Sequence, residues 1–102
     1  MTREISLTVN NKPIELDYFV AGYVDHIAGG IIASLKNTGE IKTLKMTIGN
    51  KGEVKINLNN AELPINYFVE EIVRSTVKGV IALLKGVDKD KPLENLELNI
   101  SR

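Results

Sequence analysis

The chain has no cysteine, no tryptophan, a single histidine and no excess of charge of either sign. Each of these absences closes off a class of function. Without cysteine there is no disulfide, no thiolate metal site and no cysteine nucleophile, which fits a reducing compartment. Thirteen basic residues balance thirteen acidic ones. A nucleic-acid binder ordinarily shows a basic excess, because phosphate neutralisation supplies most of its affinity. Nucleic acid is therefore an unfavoured partner, confined to weak binding through a local set such as Lys42, Lys45 and Lys55. No apolar stretch approaches the ~20 residues needed to span a bilayer. Met1 to Ser6 lacks the apolar run of a secretory leader. A cytoplasmic location with no membrane partner is expected.

Catalytic signatures are missing as well. One histidine and no cysteine leave only oxygen ligands for a metal, and no calcium loop with spaced acids and a central glycine occurs. Asp88-Lys89-Asp90 alternates acid with lysine and reads as a solvated loop. A nucleotide site would call for a glycine-rich turn from strand to helix. Here both such turns begin with paired asparagines instead. Gly49-Asn50-Lys51-Gly52 holds a lysine between glycines, but it joins two strands and reads as a hairpin. Ser34 and Ser75 have no acid or base partner in the sequence. No catalytic residue, cofactor or metal is expected, and the chain is not read as an enzyme.

What the sequence does contain is a repeat. Tyr18-Phe19-Val20 recurs as Tyr67-Phe68-Val69, an offset of 49 positions (67 − 18) with no gap across the segment. Gly30 answers Gly79, and Ile32, Ala33, Leu35 and Lys36 answer Ile81, Ala82, Leu84 and Lys85. Asn10-Asn11 recurs as Asn59-Asn60. This is an internal duplication of one supersecondary unit, covering residues 4–49 and 53–101 of a single domain, 1–102. At 43% apolar and 25% charged, the composition suits one ordinary core without staples.

Ile5, Leu7 and Val9 alternate with polar residues as a half-buried strand, and Asn10-Asn11 turns the chain. Asp17 caps a helix whose apolar stripe is Val20, Val24, Ile27, Ala28, Ile31 and Leu35. Lys36 suits the helix C-terminus, and Asn37-Thr38-Gly39 ends it. Leu44, Met46 and Ile48 form a second strand, and Val54, Ile56 and Leu58 a third. Asn66 caps the second helix, with Val69, Ile72, Val73, Val77, Val80 and Leu84 as its stripe. After a charged loop from Gly86 to Pro92, Leu96, Leu98 and Ile100 form the last strand.

The order predicts an α+β fold of ferredoxin-like β-α-β-β-α-β type, a four-stranded antiparallel sheet with both helices on one face. If Pro13 to Leu16 and Leu63 to Ile65 are strands, each half is instead β-β-α-β and the sheet is larger.

The outward strand positions hold Glu4, Ser6, Thr8, Thr43, Lys45, Thr47, Lys55, Asn57, Glu97 and Asn99. None is aromatic, which removes the base-stacking platform of RNA-binding sheets. All five aromatics (Tyr18, Phe19, Tyr23, Tyr67 and Phe68) lie in the helical segments. Shared glycines Gly30 and Gly79 are expected where the two helices approach closely, since a mid-helix glycine costs ~1 kcal/mol relative to alanine.

The two outer helix faces differ. Helix two offers Glu71, Arg74, Ser75, Lys78 and Ala82, whereas helix one offers Gly22, Asp25, His26, Gly29 and Ala33. A solvent-facing helix gains nothing from Gly22 and Gly29, so this small-residue face is the expected interface, most simply with a second copy. His26 is read as an interface residue rather than a catalyst, because Asp25 beside it does not face it on a helix. An imidazole there would make a dimer pH-sensitive below neutrality. The chain thus reads as a homo-oligomeric, non-catalytic binding or interaction module. The alternative is a regulatory domain that holds a small-molecule ligand between subunits, near Asn10 to Asp17 or Asn59 to Asn66.

Overall fold

The computed structural model of the chain describes residues 4–35, 41–82, 84 and 93–101. The predicted C-terminal features Lys36 and Asn37-Thr38-Gly39, and the loop from Gly86 to Pro92, lie outside the described residues.

The elements are β1 (Glu4–Val9), β2 (Lys12–Ile14), α1 (Tyr18–Leu35), β3 (Thr43–Ile48), β4 (Val54–Leu58), β5 (Ala61–Glu62), α2 (Tyr67–Ile81) and β6 (Leu96–Ser101). The order β-β-α-β thus occurs twice. The sheet has six strands rather than the four of the ferredoxin-like expectation, in the order β2-β1-β6-β3-β4-β5, and every neighbouring pair is antiparallel. The extra strands are the short returns after each asparagine pair. The first falls near the expected segment. The second lies at Ala61–Glu62, ahead of Leu63 to Ile65.

The hairpins explain both additions. Asn10, Asn11, Asn59 and Asn60 all have positive φ, between 51° and 67°. Two consecutive residues of this kind make the tight two-residue turn whose twist matches antiparallel strands. Val9 therefore pairs with Lys12, and Leu58 with Ala61. The wider β3–β4 connection closes through Gly49 N–H to Glu53 O (2.9 Å) and Gly52 N–H to Gly49 O (3.0 Å), as the predicted hairpin requires.

Each helix carries the chain across two intervening strands, α1 from β2 past β1 and β6 to β3 and α2 from β5 past β4 and β3 to β6. β1 and β3 are both antiparallel to β6, so they run parallel to each other, and the two helices run in opposite senses. The halves meet at the sheet centre, where Met46 pairs with Leu98.

Strict alternation buries one face of every long strand. Leu7, Val9, Leu44, Met46, Ile48, Val54, Ile56, Leu58, Leu96, Leu98 and Ile100 form the sheet side of the core. The helices cover that face with equivalent residues, Val24, Ala28 and Ile32 from α1 and Val73, Val77 and Ile81 from α2. The opposite face of the sheet stays polar and open, as an antiparallel sheet with one covered side permits.

Candidate contact surface on the helix layer

Both helices start on side-chain caps. Val20 N–H donates to Asp17 Oδ1 and Val69 N–H to Asn66 Oδ1, each at 2.8 Å. A cap three residues ahead of its donor sets the rotation of the first turn, and hence which face meets the sheet. In α1 that face is turned by roughly 60° from the predicted stripe, at the 100° per residue of an α-helix. Val20, Ile27 and Ile31 are only half-buried, whereas Ile32 and Asp25 are buried.

This rotation redistributes the expected interface set. Asp25 is 3% exposed, so it does not lie on an outer face. Gly22 and Gly29 are half-buried at the margin, while His26 and Ala33 are exposed. His26 donates from Nδ1 to Gly22 O at 2.7 Å, back onto its own helix. The five residues are therefore not one outward surface; only His26 and Ala33 stand on the solvent side.

The solvent side proper is aromatic. Tyr18, Phe19, Tyr23, Tyr67 and Phe68 are between 53% and 93% exposed, and Ile72 is 47% exposed. All belong to the helices, and they form equivalent pairs, Tyr18 with Tyr67, Phe19 with Phe68 and Tyr23 with Ile72. Phe19 and Tyr23 stack with ring centroids 6.1 Å apart and planes 17° apart, making one ridge. Phe19, Tyr23 and Phe68, which share one side of their helices, leave roughly 400 Å² of aromatic surface in water at about 200 Å² per ring, about half of the ~800 Å² each partner contributes to a standard interface.

Gly30 and Gly79 lie on this same side. A Cβ built at either meets nothing within 4 Å. The expected close approach of the two helices at these glycines is therefore corrected: within the protomer they face open space. What lies between the helices is a narrow apolar cleft of about 30 Å³, lined by residues such as Ile27, Ile31, Val77 and Val80.

The open sheet face carries two shallow polar basins, of about 530 and 390 Å³, at its two ends. Lys45 and Lys55 stand here, and Lys45 pairs with Glu97 at 3.3 Å. The turns that lead toward the helices are occupied by their own hydrogen bonds. Asn10 Oδ1 accepts from Glu94 and Asn95 N–H (2.7 and 3.1 Å), and Asn59 Oδ1 accepts from Lys42 and Thr43 N–H (2.8 and 3.0 Å). Among the described residues no three His, Asp or Glu side chains gather as a metal site, and no helix is long and apolar enough to cross a membrane.

Ile72, expected on the core stripe of the second helix, is instead 47% exposed, and the five aromatics of the helical segments were not read as a surface. Their recurrence at equivalent positions, beside glycines that recur too, was the signal available. No protein-family model, curated protein or solved structure matches the chain.

Proposed function

We propose that this protein is a non-catalytic interaction module that assembles with copies of itself through its helix layer. The observation that carries this is the placement of every aromatic side chain of the chain, largely exposed, on the two helices. Isolated exposed apolar residues are ordinary, but a whole aromatic complement turned outward from one layer favours an interaction surface. The sheet edges are poorer candidates. β2 is three residues long and contains Pro13, and β5 is two residues long and is followed by Pro64. Short, proline-marked edges resist strand addition. A balanced net charge leaves self-association unopposed by long-range repulsion.

The test is the solution mass by light scattering, for the wild type and for Phe19→Glu/Phe68→Glu. The wild type is expected to be a dimer or larger and the variant a folded monomer. A monomeric wild type at millimolar concentration overturns the proposal.

A further inference from the structure

The exposed side of each helix is sorted by size along its length. On α1, Phe19 and Tyr23 occupy the N-terminal half, and Gly30, Ala33 and Ser34 the C-terminal half. On α2, Phe68 and Ile72 come first, and Gly79 follows. Positions 19, 23 and 30 lie within about 40° of one another around the axis, as do 68, 72 and 79. Large side chains and glycines therefore share one line on each helix.

Such a line is complementary to itself when reversed. In an antiparallel helix pair, a register that lays Tyr23 over Gly30 also lays Phe19 over Ser34, one turn further on. The equivalent register on α2 lays Ile72 over Gly79. A two-fold axis makes each contact twice, residue i on j and j on i. Face-to-face stacking of two helix layers about a two-fold axis along or across the helices brings helices together antiparallel, because α1 and α2 already run in opposite senses.

We infer that two copies stack helix layer on helix layer, with the large apolar side chains of each copy seated over Gly30 and Gly79 of its partner. This rests on the self-association proposed above and adds its geometry. It also supplies a reason for the two helix-weakening glycines, which have no close neighbour within the protomer. Each gives up a side chain where the partner's ring or isoleucine needs room. The three rings on these lines supply roughly 400 Å², about half of what one partner of a standard interface buries, and the rest of the helix layer supplies the remainder.

The experiment is sedimentation equilibrium on the full chain, with Gly30→Leu and Gly79→Leu compared with the wild type, and thermal melts of each as a folding check. Because an added Cβ at either position meets nothing within the protomer, both variants are expected to fold with unchanged or raised melting temperature as monomers. Their dimers are expected to be at least tenfold weaker. Adding Tyr23→Ala to Gly30→Leu or to Gly79→Leu identifies the seat. Recovery of affinity with the first places α1 on the partner's α1, and with the second on the partner's α2. Leucine variants that dimerise like the wild type, while Phe19→Glu/Phe68→Glu does not, overturn the seating and leave the helix-layer interface standing. A wild type that is monomeric throughout overturns both.

Discussion

Asn10 and Asn59 do the same work in the two halves of the chain. Each sits at φ 51° as the first residue of a two-residue hairpin. Each also turns its carboxamide oxygen onto two successive backbone N–H groups at the entry to a strand, Asn10 at Glu94 and Asn95 and Asn59 at Lys42 and Thr43. The strands so held, β6 and β3, are the central pair of the sheet. One residue type thus supplies both the left-handed backbone and the clamp.

These two contributions separate by substitution. Asn59→Gly keeps the backbone and loses two hydrogen bonds, for an expected cost of about 1–2 kcal/mol. Asn59→Ala also forces a side chain into the left-handed region, raising the cost to about 2–4 kcal/mol. Urea denaturation of both variants checks the order. An alanine variant as stable as the glycine variant would show that the turn geometry contributes nothing.

The paired asparagines also show what the sequence carried and what was harder to read. The alternation of Leu44, Met46 and Ile48, and of Leu96, Leu98 and Ile100, places their strands and their buried face correctly. The caps Asp17 and Asn66 were equally legible. β2 and β5 were harder, because three- and two-residue strands show no period and Pro13 argues against one. The better signal was Asn-Asn itself, since two left-handed residues in succession imply a strand returning on each side. The phase of α1 was not legible. Valine, isoleucine, alanine, phenylalanine and tyrosine surround most of that helix, so periodicity admits several faces. Burial of Asp25 depends on tertiary surroundings that no local pattern encodes.

Lys45 and Glu97 meet at 3.3 Å across the centre of the open sheet face. Their side chains are 51% and 43% exposed, so water and salt screen the pair. A double-mutant cycle with Lys45→Met and Glu97→Gln is expected to give a coupling below about 1 kcal/mol that fades in high salt. A coupling of several kcal/mol would mean that this face is covered in solution.

Ile56 and Phe68 provide opposite expectations for the same kind of truncation. Ile56 is fully buried under the helices, and Ile56→Ala is expected to cost about 2–5 kcal/mol at any protein concentration. Phe68 is exposed in the protomer, so Phe68→Ala should cost less than about 0.5 kcal/mol in dilute protein. At concentrations where copies associate, its loss should become visible as a weaker assembly. Thermal melts over a dilution series separate the two behaviours.

Two glycines are expected to respond to alanine with opposite signs. Gly52 has φ +83°, and a Cβ there comes 3.2 Å from the side chain of Arg74, whose Nη1 donates to Gly52 O at 2.8 Å. Gly52→Ala should destabilise by about 1–2 kcal/mol. Gly22 is helical and a Cβ there meets nothing within 4 Å. Gly22→Ala should stabilise by up to about 1 kcal/mol. Chemical denaturation reads both, and a destabilised Gly22→Ala would mean that another chain lies against that position.

Small-angle X-ray scattering of the associated wild type tests the stacked arrangement most directly. The protomer is a slab 18 Å thick and 37 by 34 Å across, with a radius of gyration of 12.9 Å. Two slabs offset by their thickness give a particle with a radius of gyration of about 16 Å, whereas two joined at their edges give about 21–23 Å. Stacking of helix layers predicts the smaller value, lost in Phe19→Glu/Phe68→Glu. A dimer near the larger value would contradict it and move the interface to the sheet edges.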